Sequence, residues 1–350
     1  MAGNRSLHVA KKTKKDEFYT RREDIENELT HYEGHFRDKI VYCNCDDPVS
    51  SEFWQFFMRN FRPWGLKKLI ATHYEPDEKN YAYMLEVSQD TNGDGVIDWR
   101  DDPVITQIPC NGDFRSAACI ELLKQADIVV TNPPFSLFRE YVGQLMKYEK
   151  KFLIIGPQNA ITYKEVFPLM MADKMWIGYG FNHGDAYFRV PPESAGEYAT
   201  GVYNPETGLV HFRNCTWYTN MDIPKRHELL DLRGNYYSAE KYPEYDNMPG
   251  AINVDKLQEI PCDWDGYMGV PITFMQSYCP DQFEIIGLSR DKDLPGKSGM
   301  NEDFIRVYFE QGGTGQIMVG HPDLCYYKDG KAVVPYRRVI IRKRKEITQK

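Results

Sequence analysis

The chain has 350 residues, of which 42% are apolar and 27% charged, and its formal net charge at pH 7 is −8. This composition is that of a folded globular protein, and the length fits one large domain or two of ordinary size. The sequence excludes an integral membrane protein and disfavours secretion, since no apolar run approaches the ~18 residues of a membrane span and the N-terminus lacks an apolar signal core.

The first half of the chain predicts strands that alternate with helices. Buried strands are predicted at Lys39–Cys45, Lys67–His73, Asp127–Asn132 and Lys151–Gly156. Helices are predicted at Ser50–Asn60, Ser116–Gln125 and Phe135–Tyr148. This alternation predicts an α/β fold with a parallel sheet covered by helices on both faces. The strands are continuously apolar, which is typical of such burial.

After about residue 175 the pattern changes to short strand-like segments with frequent turn residues. These segments are Ala186–Val190, Val210–Tyr218, Val270–Phe274, Phe283–Leu288, Arg306–Phe309 and Gly315–Val319. The sequence therefore predicts a β-rich region over residues 176–350.

Basic residues are concentrated at both ends of the chain. Residues 1–15 contain five basic residues and no acidic one, and the last fourteen contain seven basic residues and one acidic one. Each end is either a phosphate-binding arm or merely a solvated tail, and the sequence leaves both interpretations open.

The segment Ala126–Phe138, ADIVVTNPPFSLF, carries the clearest chemical signal. Pro133 and Pro134 fit neither a strand nor a helix interior, so they predict a rigid turn at the carboxyl end of a strand, where open parallel sheets bind ligands. The Asn132 amide and the Pro133 carbonyl offer two oxygen acceptors that suit an exocyclic amine. Phe135 is either a stacking platform for a flat base or a core residue.

These features resemble the EcoRI-type adenine-specific DNA methyltransferases, which use S-adenosylmethionine. The resemblance rests on motifs in the family's order: DEFYT (Asp16–Thr20), DIENEL (Asp24–Leu29), VYCNCDDP (Val41–Pro48), GLKKLIA (Gly65–Ala71), GDFR (Gly112–Arg115) and TNPPF (Thr131–Phe135). The resemblance implies a seven-stranded, Rossmann-like methyltransferase sheet, followed by a β-rich target-recognition region.

The resemblance also implies the cofactor site. The usual glycine-rich turn after the first strand is replaced here by Cys43–Pro48, and its paired acids suit the cationic amino group of S-adenosylmethionine. Asp113 resembles the acid that accepts from the cofactor's adenine amine, and Glu75 is the nearest acid for the ribose. The cofactor-binding residues expected from the family motifs are Phe18, Tyr19, Thr20, Cys45, Asp46, Asp47, Asp113 and Phe114.

The implied reaction is direct methyl transfer to the N6 amine of adenine in duplex DNA, with the base flipped into the site. The expected catalytic residues are Asn132, Pro133, Pro134 and Phe135. Two alternatives stay open at this point: methylation of an amine in RNA or on a protein glutamine, and a catalytically inactive DNA-binding relative.

Residues 90–101 match an EF-hand-like calcium loop, with glycine at position 6 of the loop. The potential ligands are Asp90, Asn92, Asp94, Asp98 and Asp101. The alternative is a plain hairpin turn, since Asn-Gly and Asp-Gly favour tight turns. A bound calcium ion is expected to be structural, because methyl transfer needs no metal.

These interpretations predict a basic tail over residues 1–15, a catalytic domain over 16–175 with a hairpin insertion at 76–110, and a target-recognition region over 176–350 with a basic C-terminal tail. The expected partner is double-stranded DNA, and no membrane is expected. Three roles stay open: a restriction system with a cognate endonuclease that need not contact this chain, the self-protection of a phage, and a solitary regulator. The eight cysteines form no Cys-x-x-Cys pair, which favours a reducing cytosol over a disulfide-bonded protein. The resemblance implies that this is the cytoplasm of a bacterium, with a gene that is bacterial or carried by a phage.

Overall fold

The structure is a computed structural model that describes residues 19–45, 47–75, 82–181, 185–190 and 201–345. These residues form two compact units. The first unit extends to Ile223 without residues 171–173, and the second contains residues 171–173 and the chain from Pro224 onward. No helix in the described part of the chain is long and apolar enough to cross a membrane.

The secondary structure contains α-helices, short 3-10 helices and strands. The α-helices are Arg22–Leu29 (α1), Glu52–Trp64 (α2), Ala117–Gln125 (α3), Phe138–Lys147 (α4), Phe167–Met171 (α5) and Glu302–Glu310 (α6). The 3-10 helices are Thr30–His35, Phe135–Leu137, Gln158–Thr162, Pro224–His227, Leu257–Glu259 and Ile272–Ser277. The strands of the first unit are Tyr19–Thr20 (β1), Ile40–Cys43 (β2), Lys68–Thr72 (β3), Tyr83–Val87 (β4), Val104–Gln107 (β5), Ile128–Thr131 (β6), Lys151–Pro157 (β7), Trp176–Ile177 (β8), Ala186–Arg189 (β9), Tyr203–Asn204 (β10), Leu209–Phe212 (β11) and Cys215–Thr219 (β12). Those of the second unit are Glu244–Tyr245 (β13), Met248–Asn253 (β14), Tyr267–Pro271 (β15), Phe283–Leu288 (β16), Tyr326–Lys328 (β17), Lys331–Val333 (β18) and Arg338–Lys343 (β19).

The first unit is built on a mixed sheet with the strand order β5-β4-β3-β2-β6-β7-β12-β8. The four central strands β3, β2, β6 and β7 are parallel, with Val41 opposite both Leu69 and Ile128. The outer strands pair antiparallel. The α/β prediction is confirmed, but this sheet has eight described strands and not seven, because both strands of the β4–β5 hairpin extend its edge.

The pairing of β12 with the sheet explains why the first unit extends to Ile223. Strand β12 pairs with β7 from Cys215 opposite Pro157 to Thr219 opposite Leu153. Trp217 in β12 is fully buried and belongs to the same core as β2 and β6. Because these contacts attach residues 215–219 to the sheet, the compact unit extends well past the predicted boundary at residue 175.

Capping residues set the ends of the helices that follow the central strands. The Ser51 hydroxyl accepts from Phe53 N at 3.2 Å at the start of α2, and the Ser116 hydroxyl accepts from Cys119 N at 3.3 Å at the start of α3. Gly65 ends α2 with a φ of 65°, a conformation that glycine adopts without strain. Both helices begin close to the predicted starts at Ser50 and Ser116, whereas α2 ends at Trp64, past the predicted end at Asn60.

Helix α2 contributes much of the core of the first unit. Its buried residues are Phe53, Trp54, Phe56, Phe57, Met58, Phe61 and Trp64. Each such side chain contributes roughly 1.5–3 kcal/mol when it leaves water. This packing fixes the start of the helix, where Ser51 N also donates to Asp47 O at 2.7 Å.

The second unit contains a sheet with the order β16-β19-β15-β14-β13-β17-β18. Strands β14 and β15 are parallel, and the other described pairs are antiparallel. Its core includes Tyr245, Met248, Leu294 and Ile340.

Two strand predictions in the second unit are wrong. Arg306–Phe309 lies in helix α6, because the Asn301 side chain accepts from Phe304 N at 2.7 Å and starts a helix that stacks Phe304 on Tyr308. Gly315–Val319 forms no strand, and Val319 is 65% exposed.

The basic C-terminal segment is not a tail over Arg338–Lys343, where it forms strand β19. Ile340 and Ile341 are fully buried, and the strand pairs with β15 and β16. Arg342 contacts Glu284 at 2.7 Å and Arg338 contacts Asp255 at 3.2 Å, so these cations are already paired. Residues 1–15 and 346–350 lie outside the described part of the chain.

We predict that Gly156→Ala destabilises the first unit by about 1–3 kcal/mol, as overpacking does. A Cβ at Gly156 in β7 would lie 2.3 Å from the Phe138 ring at the start of α4, and both residues are enclosed. Urea unfolding of the purified variant measures the change.

The matched control is Gly143→Ala, since Gly143 is exposed within α4 and nothing lies within 4 Å of its added Cβ. This control should gain roughly 0.5–1 kcal/mol, because alanine is the better helix former. An unchanged unfolding midpoint for Gly156→Ala would contradict the packing described here.

Candidate active site

The carboxyl ends of the parallel strands bring several polar segments to one edge of the sheet. Residues 44, 45 and 47 follow β2, residues 73–75 follow β3 and residues 132–135 follow β6. Because β3, β2 and β6 are adjacent and parallel, these segments lie side by side. This edge is where open α/β sheets bind their ligands.

The double-proline turn lies in the middle of this edge. Strand β6 is fully buried and ends at Thr131, and Asn132 is 7% exposed. Pro134 precedes the 3-10 turn Phe135–Leu137, which leads directly into α4. The Thr131 hydroxyl accepts from Cys45 N at 3.2 Å, so the turn is joined to the loop after β2.

Phe135 is 8% exposed and packs in the core of the first unit. Of the two interpretations that the sequence left open for Phe135, the structure shows the core residue. Stacking on a base would require Phe135, or the side chains that cover it, to move.

The loop after β2 is held from the opposite side by helix α4. Tyr141 is fully buried, and its hydroxyl donates to Asn44 Oδ1 at 2.5 Å. The Cys45 thiol also lies 3.6 Å from that oxygen. Asp46 lies outside the described residues.

Asp47 organises the turn that precedes α2. Its Oδ1 accepts from Val49 N and from the Tyr83 hydroxyl, each at 3.1 Å. His73, at the end of β3, stacks on Tyr83 and places its Nδ1 3.8 Å from Asp47 Oδ1. The predicted cofactor ligand Asp47 is therefore part of a polar cluster that spans two strand ends.

The GDFR segment, Gly112–Arg115, reaches the same edge through a close backbone contact. A Cβ at Gly112 would lie 1.9 Å from His73 O, and its φ is +80°, so only glycine fits. Glu75 N donates to Asn111 O at 2.8 Å, which fixes the segment beside the end of β3.

Asp113 is held as an anion by its neighbour Arg115. Arg115 donates to the carboxylate through Nε at 2.9 Å, Nη2 at 2.6 Å and its backbone N at 2.8 Å. These hydrogen bonds, those of the Arg115 side chain above all, lower the pKa of Asp113. A carboxylate offers about four acceptor positions. Arg115 occupies three, which leaves one for a ligand.

Tyr19 and Thr20 form the edge strand β1 of a four-stranded sheet with the order β1-β9-β11-β10. Thr20 is 3% exposed, and its hydroxyl is buried without a hydrogen-bond partner among the described residues. Because buried polar groups are normally hydrogen-bonded, this hydroxyl is a candidate contact for a bound ligand. Phe18 lies outside the described residues.

The calcium prediction for residues 90–101 is not supported. Arg100 donates to both oxygens of Asp98 at 2.7–3.2 Å and contacts Asp94 at 2.9 Å. The side-chain hydrogen bond from Arg100 is the main cause that lowers the pKa of Asp98 to about 2. A guanidinium thus takes the place that a metal cation needs between these two carboxylates.

The other predicted ligands of the loop bind its backbone. Asp90 accepts from Gly93 N at 2.7 Å and Gly95 N at 2.6 Å, and Asn92 Oδ1 accepts from Asp94 N at 2.9 Å. Asp101 accepts from the N–H groups of residues 91, 92 and 98. The described residues contain no cluster of three or more metal-binding side chains.

Sequence reasoning missed several residues that shape this edge: Asn44, His73, Arg115, Tyr141 and Gln144. Gln144 Nε2 donates to Phe114 O at 3.1 Å, and the Phe114 ring meets Tyr141 edge-on at 5.0 Å. The one available signal was helical spacing, since positions 141 and 144 lie on the same face of α4.

Comparison with known proteins gives a consistent result over nearly the whole chain. The family model "Adenine-specific methyltransferase EcoRI" matches residues 6–344. Type II methyltransferase M.EcoRI of Escherichia coli is 47% identical over 84% of this chain and 93% of its own length. Type II methyltransferase M.MpnI of Mycoplasma pneumoniae is 39% identical over 79% of this chain and 83% of its own length. No solved structure matches the chain.

We predict that calcium titrated into the full chain releases no heat above that of buffer, because Arg100 already neutralises Asp94 and Asp98. Isothermal calorimetry at low ionic strength tests this. The matched variant Arg100→Ala frees both carboxylates. Binding by that variant alone would identify the guanidinium as the obstacle, and saturable binding by the wild-type chain would overturn the prediction.

Proposed function

The chain belongs to the EcoRI family of adenine-specific methyltransferases, and from this membership we propose how its own residues perform the reaction. As a member of the family it is a site-specific DNA methyltransferase that modifies adenine. The proposed reaction is direct methyl transfer from S-adenosylmethionine to the N6 amine. The observation that carries the proposed site is the Asn132–Phe135 turn, which lies at the carboxyl edge of the sheet and is bonded to the loop after β2.

The family implies S-adenosylmethionine, and the donors and acceptors at this edge fit it. Asp113 keeps one acceptor position, which suits the donor on the cofactor's adenine amine. Asp47 is an acid that suits the cofactor's ammonium group, and the Thr20 hydroxyl lacks a partner among the described residues. We assign the cofactor site to Tyr19, Thr20, Cys45, Asp47, Asp113 and Phe114, together with Phe18 and Asp46 outside the described residues.

When bound, S-adenosylmethionine supplies an electrophilic methyl group on a sulfonium. The adenine amine is a poor nucleophile, because its lone pair is delocalised into the ring. We propose that Asn132 Oδ1 and the Pro133 carbonyl accept its two hydrogens, which favours a pyramidal nitrogen with a localised lone pair. Pro134 fixes the direction of the turn.

A duplex adenine is out of reach of such an enclosed turn, so we propose that it is flipped out of the helix. Asn132 and Phe135 are both nearly buried. Binding must therefore open the turn locally, and Phe135 then lies against the flipped base. The cost of unstacking is a few kcal/mol and must be offset by contacts to the DNA backbone and to the base.

Recognition of the target sequence is proposed for the region beyond residue 175, which includes the second unit. In that unit, Arg338 and Arg342 are paired with acids. DNA contacts are therefore expected from other polar side chains in the grooves and at phosphates. The relatives are named Type II methyltransferases. We propose on that ground a cytoplasmic, bacterial restriction-modification system, with a cognate endonuclease that recognises the same DNA sequence.

Modification-sensitive sequencing of DNA tests the proposed reaction. The chain is expressed in a bacterial host that lacks adenine methylation. Methylated adenine at one recurring motif is the expected outcome and reports the recognition sequence. If the expressed chain is folded and binds S-adenosylmethionine but the genome stays unmodified, adenine in DNA is not its substrate.

We predict that Asn132→Ala lowers the rate of methyl transfer by at least 100-fold, since it removes one of the two acceptors for the amine. The affinity for S-adenosylmethionine should stay within about threefold of wild type, because Asn132 is not among the residues assigned to the cofactor site. Single-turnover kinetics and calorimetry measure the two effects.

The control is Asn60→Ala, since Asn60 Nδ2 donates to Phe56 O of its own helix at 2.9 Å. It should retain wild-type transfer. Turnover by Asn132→Ala close to that of this control would remove Asn132 from the proposed mechanism.

A further inference from the structure

Helix α4 follows the double-proline turn and also holds the two segments proposed to bind the cofactor. Glu140 Oε2 accepts from Arg115 Nη1 at 3.3 Å, and Gln144 Nε2 donates to Phe114 O at 3.1 Å. Tyr141, between them, is the residue that touches both segments: its ring meets Phe114, and its hydroxyl bonds to Asn44.

The contact of Tyr141 with Asn44 is fully enclosed. Tyr141 is 0% exposed and Asn44 is 3% exposed. Burial holds the pKa of Tyr141 well above its ordinary value, so its hydroxyl stays protonated and acts as the donor. Asn44 precedes Cys45, whose backbone N donates to Thr131 next to Asn132. The chain of contacts therefore runs from α4 through the loop after β2 and back to the proposed catalytic turn.

We propose that Tyr141 is a positioning residue for the cofactor site, which orders the loop after β2 before S-adenosylmethionine binds and ties that loop to the helix of the catalytic turn. This inference rests on the proposed function. Tyr141 does not contact the reacting atoms in the proposal; it acts through Asn44 and Phe114. Its loss should therefore weaken cofactor binding and leave the chemical step intact once the cofactor is bound.

When a loop is less ordered in the free protein, the cost of ordering it on binding lowers the affinity for the cofactor. In Tyr141→Phe the ring still packs on Phe114, but Asn44 Oδ1 loses its strong donor, and residues 44–45 gain freedom in the free protein. The cofactor must then order them again. The expected weakening is about tenfold, which equals about 1.4 kcal/mol and is typical of one lost buried hydrogen bond.

The experiment compares full-length Tyr141→Phe with wild type. Calorimetry gives the Kd for S-adenosylmethionine, and steady-state methylation of DNA gives kcat and the two KM values. We expect the Kd and the KM for S-adenosylmethionine to rise about tenfold. The kcat at saturating substrates and the KM for DNA should stay within about twofold, since the acceptors on Asn132 and Pro133 are unchanged.

The second unit offers a matched control in Tyr245→Phe. Tyr245 is also buried, and its hydroxyl donates to an asparagine oxygen, Asn253 Oδ1, at 2.9 Å. It lies outside the unit that contains the proposed cofactor residues. This variant should melt at a lower temperature and keep the wild-type Kd for S-adenosylmethionine.

The outcomes separate the two proposals. Equal Kd values for wild type and Tyr141→Phe, or equal losses in both tyrosine variants, overturn the positioning role and leave the proposed function standing. A wild-type chain with no affinity for S-adenosylmethionine overturns both. If Tyr141→Phe does not fold, Asn44→Ala breaks the same bond from the other side. That variant must then show the same split between the KM for the cofactor and kcat.

Discussion

The structure depends on one backbone constraint, the two consecutive prolines that end strand β6. Neither residue has an N–H to continue the sheet, and their fixed φ angles redirect the chain within two positions. Helix α4 consequently starts, after one 3-10 turn, at the carboxyl edge of the sheet, where strands β2 and β3 also end. The turn thereby places the Asn132 amide and the Pro133 carbonyl at this edge, next to the side chains of the neighbouring loops.

Helix α4 links these segments into one assembly. Its inner face packs on the sheet through Phe138, Val142 and Leu145, while Tyr141 and Gln144 contact the loop after β2 and the GDFR segment. A shift of the helix would therefore move the proposed catalytic turn and the proposed cofactor loops together. In the proposed mechanism, this link through the helix keeps the methyl donor and the acceptor amine aligned, which in-line transfer requires.

The partners of charged residues explain two predictions that the structure does not support, the calcium loop and the basic C-terminal tail. The acids of the 90–101 loop match a calcium pattern, yet Arg100 and the backbone N–H groups of the loop occupy them. The basic C-terminal run resembles a nucleic-acid-binding tail, yet it contains the apolar residues 339–341 and forms a strand that pairs with β15 and β16. A sequence pattern shows which residues are charged, but it does not show which oppositely charged group or N–H group each of them contacts.

The sequence by itself determined the α/β order of the first half, the approximate starts of helices α2 and α3, and the position of the Asn-Pro-Pro-Phe turn. These features depend on local physics: apolar runs, side-chain caps and the fixed φ of proline. Tertiary structure decided the eight-strand sheet, the attachment of β12, the helical state of residues 302–310 and the contact of Tyr141 with Asn44, 97 residues apart. Such pairings depend on which distant surfaces meet, and no local spacing encodes that.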